Sequence, residues 1–337
     1  LMQFEKLHPV RPRIFCSRCL TFDPVRWNAQ ISSSDEVEAV KPYIDFVLNC
    51  PEYEIGLGAP RQTMRLVSVE GEERLLQHET KRDLTEKMQK YVHELIPKYK
   101  DCDGFILKSK SPTSSIENIP LYKKLEGPER VGKTKGLFGR EILKNYGERP
   151  IIEETRLRNP VLFEYFLTKI YLWASFRHAT EEFTQNALIQ FQTHNKLLLM
   201  AFSQHLMREL GKIVGNQDGL EIDTVYDRYR MTFSELMQER LTYKNNINVL
   251  EHALGYFKDT VTKDERKFFL KEIDAYRAGT SPLSVPIHIM RDWIIRHDVK
   301  YLKGQTFFWP YPDEIIAHSH FYSNKERRER RSIIGKR

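Results

Sequence analysis

Cysteine is scarce in this 337-residue chain: there are four, Cys16, Cys19, Cys50 and Cys102, all in the first third. So few, so unevenly placed, exclude a disulfide scaffold. They suit a reducing, cytoplasmic setting in which any thiol chemistry belongs to one domain. No apolar run is long enough to span a bilayer, so no membrane partner is expected. The opening stretch LMQFEKLHPVRPR lacks an apolar segment followed by a small-residue cleavage site, so a secretory signal is not expected either. Internal repeats are absent. Acidic excess is absent too: 53 Lys and Arg stand against 46 Asp and Glu, a net charge of +7. Part of that excess lies in the tail KERRERRSIIGKR, read as a solvated end, with a basic patch for nucleic acid or a membrane surface as the alternative. A modest positive charge is compatible with an anionic ligand and selects none.

What is present divides into two halves. Up to about residue 150, short apolar runs alternate with helical stretches. RIFCSRCL, IDFVLNCPE, MRLVSV and DGFILKSKSP read as strands. DEVEAVKPY and LTEKMQKYVHELIPKY read as helices, the latter with Leu84, Met88, Tyr91, Leu95 and Ile96 at helical spacing. This alternation predicts an α/β domain with a mostly parallel sheet. Beyond about residue 156 the strand signals fade and helical segments follow one another, predicting an all-α domain. The expected domains are 1–155 and 156–337, the helical core being about 187–316 and the end a basic tail.

One stretch, GPERVGKT at 127–134, satisfies the phosphate-loop pattern. A working loop of this kind leaves a buried strand and opens a helix at Gly-Lys-Thr. The preceding PLYKKLE is no core strand. The following KGLFGRE carries Gly136 and Gly139, which weaken a helix starting at Lys133; the helix is expected near Leu137. The stretch therefore reads as a flexible basic loop, with nucleotide binding as a minor alternative.

Ligands of open parallel sheets bind beyond the carboxyl ends of the strands. Three strand ends here carry chemistry: Cys16 to Cys19, the CPEYEIGLGAPR segment with Cys50, Glu52 and Glu54, and the SPTSS turn at 111–115. CPEYEIGLGAPR, MRLV, DGFILKSKSPT and GLFGREIL together resemble the TudS-type thiouracil desulfurases over roughly residues 10–150. HNKLLLMAFS, RELGKIV, NVLEHALGYFK, YRAGTSPLSVPIHIMR and YLKGQTFFWPYP resemble the YbgA-type helical domain, whose function the resemblance does not establish.

The desulfurase resemblance implies a [4Fe-4S] cluster held by three cysteines, its open iron taking the sulfur of a thiolated base or nucleoside before water replaces it at carbon. Thiolates suit such clusters. Cys19 and Cys50 match the first two ligands. The third falls on Ser114, where relatives have cysteine followed by glycine; Ser114 and Ser115 stand there instead. A serine hydroxyl is a poor replacement for a thiolate. Three readings stay open: a serine variant with a weakened cluster, a rewired cluster using Cys16, or a non-catalytic module binding a modified base or nucleic acid. Cys102 belongs at the far end of its strand. Glu52 is the candidate acid-base residue, Glu54 the second choice, and Ser111 a candidate hydrogen-bond partner for substrate or water. Lys108 shares a strand face with residue 110 rather than 111. Arg26, Arg61 and Lys133 are candidate substrate contacts, Lys133 from a loop covering the rim.

In the helical half, His194, His205 and His252 with Lys196 and Asn248 form either a polar pocket or a set of core histidines. No spacing there specifies a metal. QTFFWPYP reads as a packed terminal loop.

Overall fold

The computed structural model describes residues 10–315; the basic tail lies outside them. The chain forms two compact units, one holding Arg11–Ile170 and the other Tyr171–Pro312. The first is α/β with a mostly parallel sheet and the second is helical, as the sequence predicts.

The first unit is built on strands β1 (Arg13–Ser17), β2 (Asp45–Asn49), β5 (Gly104–Leu107) and β8 (Ile151–Glu153), all parallel, in the order β2-β1-β5-β8. β1 and β5 sit in the middle, and their residues are almost continuously buried, as central strands covered on both faces require. Helices α1 (Asp35–Val40), α2 (Thr85–Leu95) and α3 (Leu137–Tyr146) accompany this sheet. Ser34 caps α1 by accepting from the Val37 amide. Phe15, Tyr99, Phe105, Phe138 and Tyr146 form an aromatic core cluster, with Phe15 and Tyr99 edge-to-face at 4.8 Å between ring centroids.

A second four-stranded sheet was not anticipated. It comprises β3 (Met64–Val69), β4 (Glu72–Gln77), β6 (Ile119–Tyr122) and β7 (Arg130–Thr134), in the order β4-β3-β6-β7. MRLVSV therefore joins this mixed sheet and not the parallel one. The stretch GPERVGKT corrects the sequence reading. Arg130–Thr134 is an exposed strand paired antiparallel with β6, not a flexible loop. Its Gly-Lys-Thr is in the sheet, and the helix opens three residues later at Leu137, so no helix N-terminus faces a phosphate there. Charged Arg130 and Lys133 mark this edge against pairing with other strands.

The second unit contains the end of α4 (Pro160–Glu182), then α5 (Gln185–Phe202), α6 (Gln204–Gly215), α7 (Ile222–Gln238), α8 (Tyr243–Leu254), α9 (Lys263–Arg277) and α10 (Ser284–Arg296). Thr184, Ser203, Thr242 and Thr262 each cap the helix that follows. Thr262 and Glu265 complete a capping box. Trp173, Phe176, Phe191, Tyr229 and Phe233 pack as one aromatic cluster, with Phe176 and Phe233 centroids 4.5 Å apart. The QTFFWPYP loop is packed as expected: Gln305 accepts from the Leu197 amide at 3.1 Å, and Thr306 donates to Asn195 at 2.8 Å. The histidines do not gather. His205 and His252 are exposed and only His194 is half-buried, so both sequence readings of that trio fail. Among the described residues no helix is long and apolar enough to cross a membrane.

Phe15 is fully buried at the centre of the first unit. Phe15→Ala should cost about 3–5 kcal/mol of stability, read by denaturant unfolding.

Candidate functional site

Cys19 lies two residues past the end of β1, Cys50 directly follows β2, and residues 108–114 follow β5. These are three adjacent parallel strands, so their carboxyl ends share one rim. A cavity of about 330 Å³ opens there. Cys19, Cys50, Ser114, Glu52, Ser111, Arg26 and Arg61 all line it. Cys16 is fully buried within β1, Cys102 lies before β5, and neither lines the cavity. Lys133 sits on the exposed β7 and approaches Asn118 at 3.5 Å; it too is off the cavity.

Glu52 is the hub of the site. Its Oε1 accepts from Thr113 Oγ1 at 2.7 Å and from Ser111 Oγ at 3.0 Å. Its Oε2 accepts from Arg61 Nε at 3.0 Å and also pairs with Nη2. The Arg61 guanidinium donates further to the carbonyls of Val25 and Gly58, both at 2.8 Å. One buried carboxylate thus joins the segments after β1, β2 and β5. Ser111 passes the connection on, accepting from the Thr113 and Ser114 amides at 3.2 and 3.1 Å. Arg26 has no ion-pair or hydrogen-bond partner for its guanidinium among the described residues. It is the free cation of the Arg26 and Arg61 pair.

The SPTSS turn is held from behind by α3. The amides of Gly136, Phe138 and Gly139 donate to the carbonyls of Ser115 and Thr113 at 2.8–3.0 Å. A Cβ on Gly136 would lie 2.4 Å from the Thr113 carbonyl oxygen, and one on Gly139 2.4 Å from that of Ser115. Both glycines are therefore required by this backbone contact. Two acids at the end of β8 complete the support. Glu153 accepts from the Ile116 amide at 2.9 Å. Glu154 accepts from the Ser109 amide at 2.6 Å and from its hydroxyl at 2.8 Å, and it pairs with Lys108.

Burial dominates the thiols. It pushes Cys19 up to about 12, with the nearby Cys50 adding to the effect and Lys108 opposing it. Cys50 is raised by burial and then by Glu52. Both are neutral at physiological pH until something positive compensates a thiolate. Among the described residues no three His, Cys, Asp or Glu side chains gather to hold a metal ion. A cluster on three thiolates therefore does not fit. Ser114 stands with Cys19 and Cys50 in the cavity lining; it is 5% exposed, and its hydroxyl has no hydrogen-bond partner among the described residues.

Sequence reasoning missed Thr113, Glu153 and Glu154, and it placed Lys108 away from the site. Lys108 was set apart from Ser111 by strand alternation, but β5 ends at Leu107 and alternation no longer governs; both line the cavity. The adjacent acids of IIEE, placed at a strand end, were the available signal for Glu153 and Glu154. Trp27, beside Arg26, was also missed.

Fold and site together define an α/β unit with two cysteines and a serine on one cavity, followed by an all-helical unit. Residues 14–154 match the family model of 2-thiouracil desulfurase. Residues 196–312 match that of a protein family of unknown function, DUF1722. The chain is 31% identical over 138 residues to the uncharacterized protein YbgA of Escherichia coli (strain K12), covering 40% of this chain and 82% of that protein. It belongs to the YbgA family, with a TudS-like domain fused in front of the YbgA-type domain. Among solved structures it matches the [4Fe-4S]-dependent thiouracil desulfidase TudS at 22% identity and a TM-score of 0.35, over 46% of this chain and 97% of that one.

The supports of the site set the expected cost of three substitutions. Glu52→Ala leaves Arg61, 4% exposed at its side chain, without a counter-charge; thermal unfolding should show a loss of about 3–5 kcal/mol. Arg26→Ala, by contrast, should stay within about 0.5 kcal/mol of the parent. Gly139→Ala should cost about 1–3 kcal/mol by overpacking, and amide exchange should show the 111–115 turn loosening before the rest of the unit.

Proposed function

We propose that the Arg11–Ile170 unit is a desulfurase that removes sulfur from thiolated nucleobases, such as 2-thiouracil, or from similar small thio compounds. The observation that carries this reading is the meeting of Cys19, Cys50 and Ser114 with Glu52 and Ser111 on one cavity. In this reading Cys19 and Cys50 would hold a [4Fe-4S] cluster through sulfur, with Ser114 as the third and weaker ligand, through oxygen. The chemistry such a cluster would supply is Lewis-acid polarisation of the substrate's C–S bond.

The reaction is hydrolytic. Water gives its oxygen to the carbon, C=S becomes C=O, and sulfur leaves with the two hydrogens of water as hydrogen sulfide. Glu52 is the base: its Oε1 exchanges a hydroxyl partner for water and receives the proton. Ser111 holds the water or substrate beside it. Arg61 keeps the Glu52 carboxylate aimed at the rim, and Arg26 offers its unpaired guanidinium to an anionic or carbonyl group of the substrate. A second reading, a non-catalytic module for a modified base or nucleic acid, is favoured by one observation alone, the absence of a third thiol.

Anaerobic reconstitution with iron and sulfide, followed by metal analysis and visible absorption, tests the two. The parent should bind iron, and Ser114→Cys should bind it more tightly and resist chelator longer. Both should release sulfide from 2-thiouracil. Glu52→Gln should keep its iron and lose about 10²-fold or more in sulfide release. Iron-free protein in parent and Ser114→Cys alike would overturn the desulfurase reading and leave the binding module.

A further inference from the structure

Trp27 is 48% exposed, yet it lines the cavity that holds Cys19 and Cys50. It is the one aromatic side chain among the described residues of that lining. Its indole makes no ring, cation or hydrogen-bond contact among the described residues. Tryptophan has a large apolar surface, and leaving about half of it in water is unfavourable.

The backbone beneath the ring is the opposite of loose. The Trp27 carbonyl accepts from the Arg61 amide at 2.7 Å. The Val25 carbonyl, two residues earlier, accepts from the Arg61 guanidinium at 2.8 Å. The Ala29 amide closes a turn on the Arg26 carbonyl at 2.9 Å. At its base the loop is tied by the Ser32 amide donating to the Cys19 carbonyl at 2.8 Å and the Thr21 amide donating to the Ser32 carbonyl at 3.1 Å. Arg61 in turn is fixed by Glu52. The same carboxylate that organises the rim thus fixes the position of an aromatic ring with nothing stacked on it.

We propose that Trp27 is the stacking wall of the site, a positioning residue whose free face receives a flat heteroaromatic ring. It selects planar thio-heterocycles over acyclic thioamides, which offer no extended π-face. Val25 and Met64 supply apolar lining in the same cavity. The inference rests on the desulfurase reading above, but it concerns which thio compounds are held and not how sulfur leaves. Stacking is indifferent to hydrogen-bond pattern, so the wall accepts any flat base of suitable size, and the polar rim does the finer sorting.

The test is a calorimetric titration of the reconstituted protein with 2-thiouracil, with uracil and with N,N′-dimethylthiourea, for the parent and for Trp27→Phe, Trp27→Leu and Trp27→Ala. The exposed position makes misfolding of these variants easy to exclude by thermal melting. Trp27→Phe should bind both bases within about 3-fold of the parent. Trp27→Leu and Trp27→Ala should bind them about 10-fold or more weakly, in keeping with the loss of one base–aromatic stack. Affinity for the acyclic thiourea should be unchanged throughout. Equal base affinity in Trp27→Ala and the parent overturns the stacking wall while sulfide release continues. Equal affinity in Trp27→Leu and Trp27→Phe also overturns it, showing apolar cover and not stacking. A parent that binds neither base and releases no sulfide overturns the desulfurase reading and this inference together.

Discussion

The buried Glu52–Arg61 pair is the constraint on which the site depends. Three segments that leave three parallel strands have no covalent reason to stay together. Glu52 joins two of them through Ser111 and Thr113, and Arg61 brings in the third through the Val25 and Trp27 backbone. Taking a carboxylate and a guanidinium out of water is costly, and the pair is tolerated because each has its hydrogen-bonding capacity nearly filled. The consequence is a rim whose shape is fixed by a polar network, on a sheet whose stability comes from an aromatic core.

Electrostatics at the thiols point the same way. Burial holds Cys19 and Cys50 in the neutral thiol form, so a thiolate forms there only together with a compensating positive charge. Ser114 places a hard oxygen where softer sulfur would bind better. Its hydroxyl is left without a partner although the amide behind it is tied to Ser111 and the turn is held by α3. The turn that carries Ser114 is therefore held firmly at its backbone, while the side chain keeps its hydroxyl free.

Much of the fold was legible. The β/α alternation followed by helices, and the packing of QTFFWPYP, came from periodicity and composition. The rim was legible as well, because strand order matters less than the rule that parallel strands present their carboxyl ends together. Other parts were not. MRLVSV looks like any buried strand, and only pairing with β4 and β6 assigns it to a second sheet. GPERVGKT reads as a loop because its charges and glycines hide an edge strand that needs no apolar side chains. His205 and His252 sit at helical spacing from apolar residues but rotate out to solvent, a matter of a few tens of degrees that sequence does not resolve.

The sequence by itself determined the division into an α/β and an all-α half, the pairing of two cysteines with a serine at three strand ends, and the glycines of GLFGRE, whose missing side chains were visible without their purpose. Tertiary structure decided what those residues do. It spends Arg61 on Glu52 and leaves Arg26 free, it takes Lys133 away from the cavity and brings Lys108 into it, and it places Trp27 in the cavity lining. The reason is physical. Residue type fixes which interactions a side chain can make, but whether a charge is consumed or available depends on which distant segment the fold places beside it.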